Sequence, residues 1–457
     1  MKYWRIKLSL FLTFLFFSVV MSSDGILILQ VQQHYGIKAA VAGILGGCRD
    51  LSVAVAALLF AAHTARIGYK RSMLIGLAMV TAISVWVPFG NSFSTIGLMF
   101  VVTGMAFALV KSSIFASLGL MEHDLKHHAS MMSYLEATFT AGTFTGYFVF
   151  SAFSDDAHPD ATGWLLSHLP VLNGWSFTRH AAAGIQNWLL VYYVLAGAAV
   201  VVMLILWSAP LDESQVQERA PKGLREALLL DFTAMFKLAM TAVAAAFVAS
   251  VFTFDVLNES VMKWLPTFNS RVLHMSDTLS IQMVSLMAGS AVFGRILVGI
   301  GIRFLHWLPV LLVCLGLTAC LIVVALPLAH QSGTTLIVSW KTAPLAAYIL
   351  PLIGMVTAPI YPIINSVMLS SLPPRQHGPM TGLILLCSAM GATVGSMTTG
   401  KVFQTYGGET AFYCMLVPTF VLACSLTALW YLEKRALAGH NPLVESEDEI
   451  GAARLKA

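Results

Sequence analysis

Charge is what this chain lacks. Of its 457 residues only 11% are Asp, Glu, Lys or Arg, against roughly 25% in a soluble globular domain. So few charges do not cover the surface of a water-soluble protein of this length. Soluble enzymes, coiled coils and nucleic-acid binders are excluded together. Cysteine is sparse too: Cys48, Cys314, Cys320, Cys387, Cys414 and Cys424 all fall in apolar stretches, and none forms a CxxC pair. That leaves no disulfide framework and no zinc site of that type. No glycine-rich phosphate-binding motif is present, so ATP hydrolysis is excluded as a driving force. No cofactor is expected. His123, Asp124, His127 and His128 crowd one short loop, but a third well-placed ligand is lacking and no metal site is expected.

What is there is apolar. Hydrophobic residues make up 58% of the chain and mean hydropathy is +0.79. Twelve apolar spans stand out, at about 8–31, 41–62, 72–90, 96–120, 128–153, 187–208, 239–265, 279–301, 308–329, 344–370, 378–402 and 410–432. At 1.5 Å per residue each is long enough to cross about 30 Å of hydrocarbon. The first holds Asp24 and lacks a small-residue cleavage site, so it reads as a retained helix.

Basic residues set the orientation. With the N-terminus in the cytoplasm, seventeen Lys and Arg fall in cytoplasmic segments, five in outer segments and four within spans. The bias predicts two cytoplasmic termini. The expected organisation is a six-span bundle over 1–208, a charged cytoplasmic linker over 209–238, a second six-span bundle over 239–435, and a polar tail over 436–457. An internal repeat supports the division. Gly104-Met105 through Lys111 to Met131 parallels Gly354-Met355 through Tyr361 to Met380 at an offset of about 250. Gly142-x-x-x-Gly146 likewise parallels Gly391-x-x-x-Gly395. Two similar halves in one orientation mark a transporter that rocks about a central site. The predicted fold class is therefore an all-α membrane protein, with twelve transmembrane helices in two pseudo-symmetric six-helix bundles.

Ala61-x-x-x-Ala65-Arg66-x-Gly68-Tyr69-Lys70-Arg71, after the second span, resembles the G-x-x-x-D-R-x-G-R-R/K loop of the major facilitator superfamily, with Ala61 for the Gly and Ala65 for the Asp. Arg303 occupies the matching loop after the eighth span. Several segments are similar to the fucose–proton symporter family. These are Asp24-Gly-Ile-Leu-Ile-Leu-Gln30-Val-Gln32-Gln33, Gly294-Arg295 with Arg303, Trp264-Leu265-Pro266 after Asn258, and Pro359-Ile-Tyr361-Pro362-Ile-Ile-Asn365. The resemblance implies a secondary transporter, with Asp24 at the position of a proton-carrying carboxylate and Arg66, Gly68, Lys70, Arg71, Arg295 and Arg303 in gating loops. One departure matters. Where the fucose family places an acidic residue in its fourth helix, this chain has Leu109-Val110-Lys111-Ser112-Ser113, so fucose itself is not the expected solute.

The candidate site rests on ionisable groups inside the spans, which are expensive in hydrocarbon and so face the interior and pair. Asp24 and Arg49 lie at similar depths on neighbouring helices. They are expected to pair, with Asp24 either coupling proton uptake or serving only a structural pair. Lys111 and Glu136 also share a depth. They read either as a pair opened by a substrate carboxylate or as a static fastener between helices four and five. In the seventh span Asp255, Glu259 and Lys263 recur at intervals of four on one face. Asp255 is the deeper candidate for proton or substrate contact, whereas Lys263 is expected to snorkel to the outer surface. Proton coupling is thus assigned to Asp24, Glu136 and Asp255, and substrate contact to Gln30, Arg49, Lys111, Asn258, Tyr361 and Asn365. Two functions remain open. One is proton-coupled import of a small polar nutrient, sugar or sugar-like. The other is facilitated passage or exchange of a carboxylated or zwitterionic solute bound through Lys111. The expected partners are a small-molecule substrate, protons and lipid, with no nucleic acid. The expected state is a multi-pass monomer of a bacterial inner membrane.

Overall fold

The computed structural model describes residues 4–90, 92–121, 125–154, 187–211, 240–301, 305–330, 335–371 and 377–439. The described residues are almost wholly helical. Most of the expected linker 209–238, residues 155–186 and the tail beyond 439 lie outside them.

Six spans make the first bundle. The first is split into α1 (Trp4–Met21) and α2 (Ser23–His34); α3 (Ala39–Ile67), α4 (Tyr69–Gly90), α5 (Phe93–Met121), α6 (Leu125–Ser151) and α7 (Val191–Ser208) follow. The second bundle begins with α8 (Ala242–Arg271), α9 (Asp277–Gly301) and α10 (Trp307–His330). Its fourth span is broken into α11 (Leu345–Ile349), a short 3-10 turn, α12 (Ile353–Thr357) and α13 (Ile360–Ser371). The bundle closes with α14 (His377–Tyr406), then α15 (Gly408–Tyr413) and α16 (Leu416–Gly439), which share the last span. Eleven described spans are long and apolar enough to cross a membrane. The helix α6 occupies the remaining expected place; Glu136 and its threonines, Thr138, Thr140, Thr143 and Thr145, lower its hydropathy.

The breaks have local causes. At the α1–α2 junction the hydroxyls of Ser18, Ser22 and Ser23 each donate to a carbonyl three residues back, at 2.7 Å. Such back-bonding competes with the helical ladder and bends it. Asp24 follows directly. In the fourth span of the second bundle Pro351, Pro359 and Pro362 cannot donate to the ladder, and the carbonyl of Pro351 instead accepts from Ser290 Oγ at 2.7 Å. The helix α8 opens with Thr241 as its N-cap, accepting from Ala244 N. It then runs to Arg271, six residues past the end of the expected span and through Pro266.

The internal repeat is also a repeat of packing. The small residues of α6 meet α1: a Cβ built on Gly146 would lie 3.2 Å from the Val19 carbonyl. Those of α14 meet α8: at Gly395 it would lie 2.5 Å from the Val256 carbonyl. Small residues four apart let both pairs of backbones close. Between bundles, α3 packs on α14, α6 on α9, and α2 on α8. Large apolar side chains such as Trp86, Phe89, Trp207 and Phe420 are exposed around the outside. That is the distribution a hydrocarbon solvent favours.

Candidate functional site

Two faces of the molecule help to place the site. The near face carries Trp4 and the α3–α4 turn at Gly68; the far face carries Tyr35, the α8–α9 turn and Gly407. Far-face contacts join the bundles. Gln33 Nε2 donates to Asp277 Oδ1 at 2.6 Å, Ser396 Oγ to the Gly43 carbonyl at 2.9 Å, and Gln282 Nε2 to Ser151 Oγ at 3.3 Å. Trp264 Nε1 donates to the Ser396 carbonyl at 3.0 Å, which fixes α8 to α14 beneath that contact. Among the described residues, hydrogen bonds between the bundles lie at the central cavity or on its far-face side.

Two adjoining cavities of about 300 and 310 Å³ lie between the bundles. Asp255, Glu259, Phe139, Thr143 and Met262 line both. The first cavity is walled by Asp24, Arg49, Asp50 and Lys263, with Tyr147 and Ser388. The second is walled by Asn258, Tyr361, Phe254, Thr140 and Arg295.

The ionic network here explains why the charges sit in the spans. Arg49 is 1% exposed. It pairs with Asp24, as depth predicted, and donates to Ser23 Oγ at 3.2 Å and the Met21 carbonyl at 3.3 Å. Its guanidinium lies 4.3 Å from the centre of the Phe100 ring. Lys263 does not snorkel. It is 2% exposed and bonds Asp50 of α3 across the bundle interface, with Glu259 at 3.4 Å and Asp24 at 3.9 Å. The error came from the helix end. Because α8 extends to Arg271, Lys263 stands eight residues, about 12 Å, inside it. Gly25 lets α2 reach this point: a Cβ there would meet the Lys263 carbonyl at 2.9 Å.

The remaining expected residues divide. Asn258 Nδ2 donates to Glu259 Oε1 at 3.3 Å. Tyr361 packs on Phe254 with ring centroids 5.8 Å apart, and Asn365 lies one helical turn further along the same helix, with its Oδ1 buried and without a hydrogen-bond partner. Gln30 is buried and bonds His34 at 3.0 Å, outside both cavity walls. Lys111 is also outside both walls, resting 5.6 Å from the Phe107 ring centre and 5.5 Å from that of Phe115. Among the described residues no ion pair joins it to Glu136, which is exposed and also outside both cavity walls. In the motif loop Gly68 takes φ +100°, a backbone region open to glycine and strained for other residues. Lys70 Nζ donates to the Trp207 and Ala209 carbonyls at 2.9 and 2.6 Å, tying α4 to the end of α7. Arg71 is exposed. Arg295 donates to Thr140 Oγ1 at 3.0 Å, from one bundle to the other. The side chain of Arg66 and all of Arg303 lie outside the described residues. Among the described residues no group of three or more His, Cys, Asp or Glu is placed to hold a metal ion.

Broken helices round a polar, inter-bundle cavity, on a 6+6 repeat, agree with the comparison of sequences. A family model described as Major Facilitator Superfamily matches residues 9–396. The chain belongs to that superfamily. It is a transporter, not an enzyme, and it acts on small molecules within a membrane. No curated protein matches it closely enough to count as a relative. Solved structures share the fold at low identity. A point mutant of the nucleoside transporter NupG is 16% identical, with a TM-score of 0.67, covering 93% of this chain and 99% of that one. A bacterial homologue of the human lysosomal transporter Spinster, inward-facing and occupied, is 15% identical, also with a TM-score of 0.67, covering 94% and 96%. A structure from work on proton dependent oligopeptide transporters is 13% identical, with a TM-score of 0.62, covering 94% and 99%.

Asp50, Glu259 and Lys263 belong to the site and were not among the assigned residues. The signal was available in part. Asp50 adjoins Arg49 in sequence, and Glu259 and Lys263 share a face, but nothing in the chain said that α3 and α8 meet.

Proposed function

We propose that this transporter imports a small polar solute with a proton by alternating access. The observation that carries the reading is a charge imbalance. Asp24, Asp50, Asp255 and Glu259 face the first cavity with two buried cations, Arg49 and Lys263. The third cation, Arg295, is exposed at the edge of the second cavity and bound to Thr140. Uncompensated carboxylates are costly in the interior of a membrane protein, and binding a proton or a cationic solute removes the cost. Asp24 is the carboxylate we assign to proton coupling. Arg49, Lys263, Asp50 and Glu259 surround it, with Tyr192 beside Arg49 and Tyr147 beside Glu259. Its place after the helix break matches that of the proton-carrying residue in the fucose–proton symporter family, which supports the same assignment.

The contacts support a cycle of the following kind. Lys263 on α8, with Asp24 on α2 and Asp50 on α3, holds the bundles together beneath the far face. Protonating a carboxylate weakens the link, and the bundles can then part. Reading the near face as cytoplasmic, from the Lys/Arg bias, makes this the inward-facing state of an inner-membrane monomer. The alternative built on Lys111 has less support, because that ammonium lies between phenylalanine rings and outside both cavity walls.

The test is Asp24→Asn in proteoliposomes. Asn keeps the shape of the protonated acid and cannot release a proton. Accumulation driven by a pH gradient should be lost while downhill exchange persists. Wild-type accumulation by the variant would remove Asp24 from coupling.

A further inference from the structure

The symport reading accounts for Asp24, Asp50 and Glu259, but it leaves Asp255 over. This residue sits on α8 where the two cavities join, and it is only 7% exposed. Its Oδ2 atom is buried with no hydrogen-bond partner. Ser388 of α14 sits against the carboxylate, and Glu259 and Asp50 add further negative charge. The cations that line the cavities are already committed: Lys263 serves Asp50, Glu259 and Asp24. Arg49 is held by Asp24, and Arg295 by Thr140. A carboxylate so placed needs a positive charge from outside the protein.

The wall beside it has the complementary chemistry. Phe254 and Tyr361 stand together in the second cavity, and aromatic faces attract ammonium groups as well as packing apolar surface. Asn258 gives its N–H to Glu259, which leaves its carbonyl oxygen as an acceptor. We propose that the solute carries a protonated amine, and that Asp255, with Phe254, Tyr361 and Asn258, is the seat of that amine. The cavity then takes two positive charges, one proton in the Asp24 network and one ammonium at Asp255. A neutral hydroxyl satisfies the Oδ2 lone pair but not the charge; a hydrogen bond to a charged group is worth about twice a neutral one. An anionic solute is repelled. This inference rests on the transport reading and narrows its solute class.

Binding in detergent, with no gradient, tests it separately from coupling. Purified protein is melted with a panel of primary amines, from phenethylamine to glucosamine, each beside its N-acetyl and carboxylate counterparts. Amines at about 10 mM should raise Tm by about 2 °C or more, and the neutral and anionic counterparts should not. Asp255→Asn should abolish the shift and Asp255→Glu should keep it. Should Asp255→Asn fail to fold, Tyr361→Leu serves: it should cut the amine shift at least by about half. The proposal is overturned if no amine stabilises the protein, if the counterparts stabilise it equally, or if the shift survives Asp255→Asn. Amine binding without pH-driven uptake would instead sink the coupling assignment and leave this one standing.

Discussion

Two lysines lie well inside membrane-spanning helices, and they are held in opposite ways. Lys263 is 2% exposed and shared among Asp50, Glu259 and Asp24. Lys111 is half-buried against Phe107 and Phe115, and among the described residues it has no ion pair. An ammonium deep in a bundle is tolerated when carboxylates or ring faces compensate it, but the two solutions differ in what they do mechanically. Carboxylates on another bundle make Lys263 a fastening between moving parts. The rings around Lys111 belong to its own helix, so they hold it without tying the bundles together.

The largest consequence is expected at Lys263. Lys263→Met leaves Asp50 and Asp24 in the cavity with one cation fewer. Removing one partner of a buried pair costs about 3–5 kcal/mol; Asp50 and Asp24 keep 17% and 14% exposure, which favours the low end. The variant should melt several degrees below wild type, and Lys263→Met with Asp50→Asn should recover much of the loss. A single variant as stable as wild type would break the contrast between the two lysines.

A smaller effect is expected where α2 touches α8. Gly25→Ala puts a methyl 2.9 Å from the Lys263 carbonyl, and backbone does not yield cheaply. Overpacking of this kind costs about 1–3 kcal/mol. The cost falls on the state in which the far face is closed, so Tm should drop. Labelling of a cysteine placed at Gly47, against Thr393, should speed up. Unchanged labelling together with unchanged Tm would show that α2 and α8 are not in contact here.

The difference between the lysines also shows what a sequence can carry. Helical spans, their repeat and the Asp24–Arg49 pair were legible because they depend on distance along the chain: apolar length, spacing by four, and depth at 1.5 Å per residue. Lys263 was misplaced because its helix was expected to stop before Pro266. A proline removes one ladder bond and can leave a helix kinked yet continuous, and six further residues turn a surface position into a central one. Lys111 and Glu136 were brought together by depth alone. Two residues at one level of a bundle can point to different neighbours: Lys111 rests against Phe107 and Phe115, and Glu136 is exposed. Rotation about the helix axis is settled by packing, which no count along the chain supplies.

The smallest effect is expected for that pair. In this state Lys111 gains its ring contacts, worth about 0.5–1 kcal/mol each where partly exposed. Lys111→Met keeps most of the apolar stem, so the loss should stay near that value. Glu136 is exposed, and Glu136→Gln should change stability by less than about 0.5 kcal/mol. With no ion pair between them the two changes should add, giving a coupling energy within about 0.5 kcal/mol of zero in a double-mutant cycle. A cycle read from Tm in detergent checks this directly. A coupling of about 2 kcal/mol would mean that Lys111 and Glu136 do pair in a populated state, most simply one with the near face closed. That pair would still lie within the first bundle, between α5 and α6, so it would brace one moving part and not tie the two together. A coupling near zero, with uptake kept in the double variant, leaves Lys263 as the lysine on which the bundles turn.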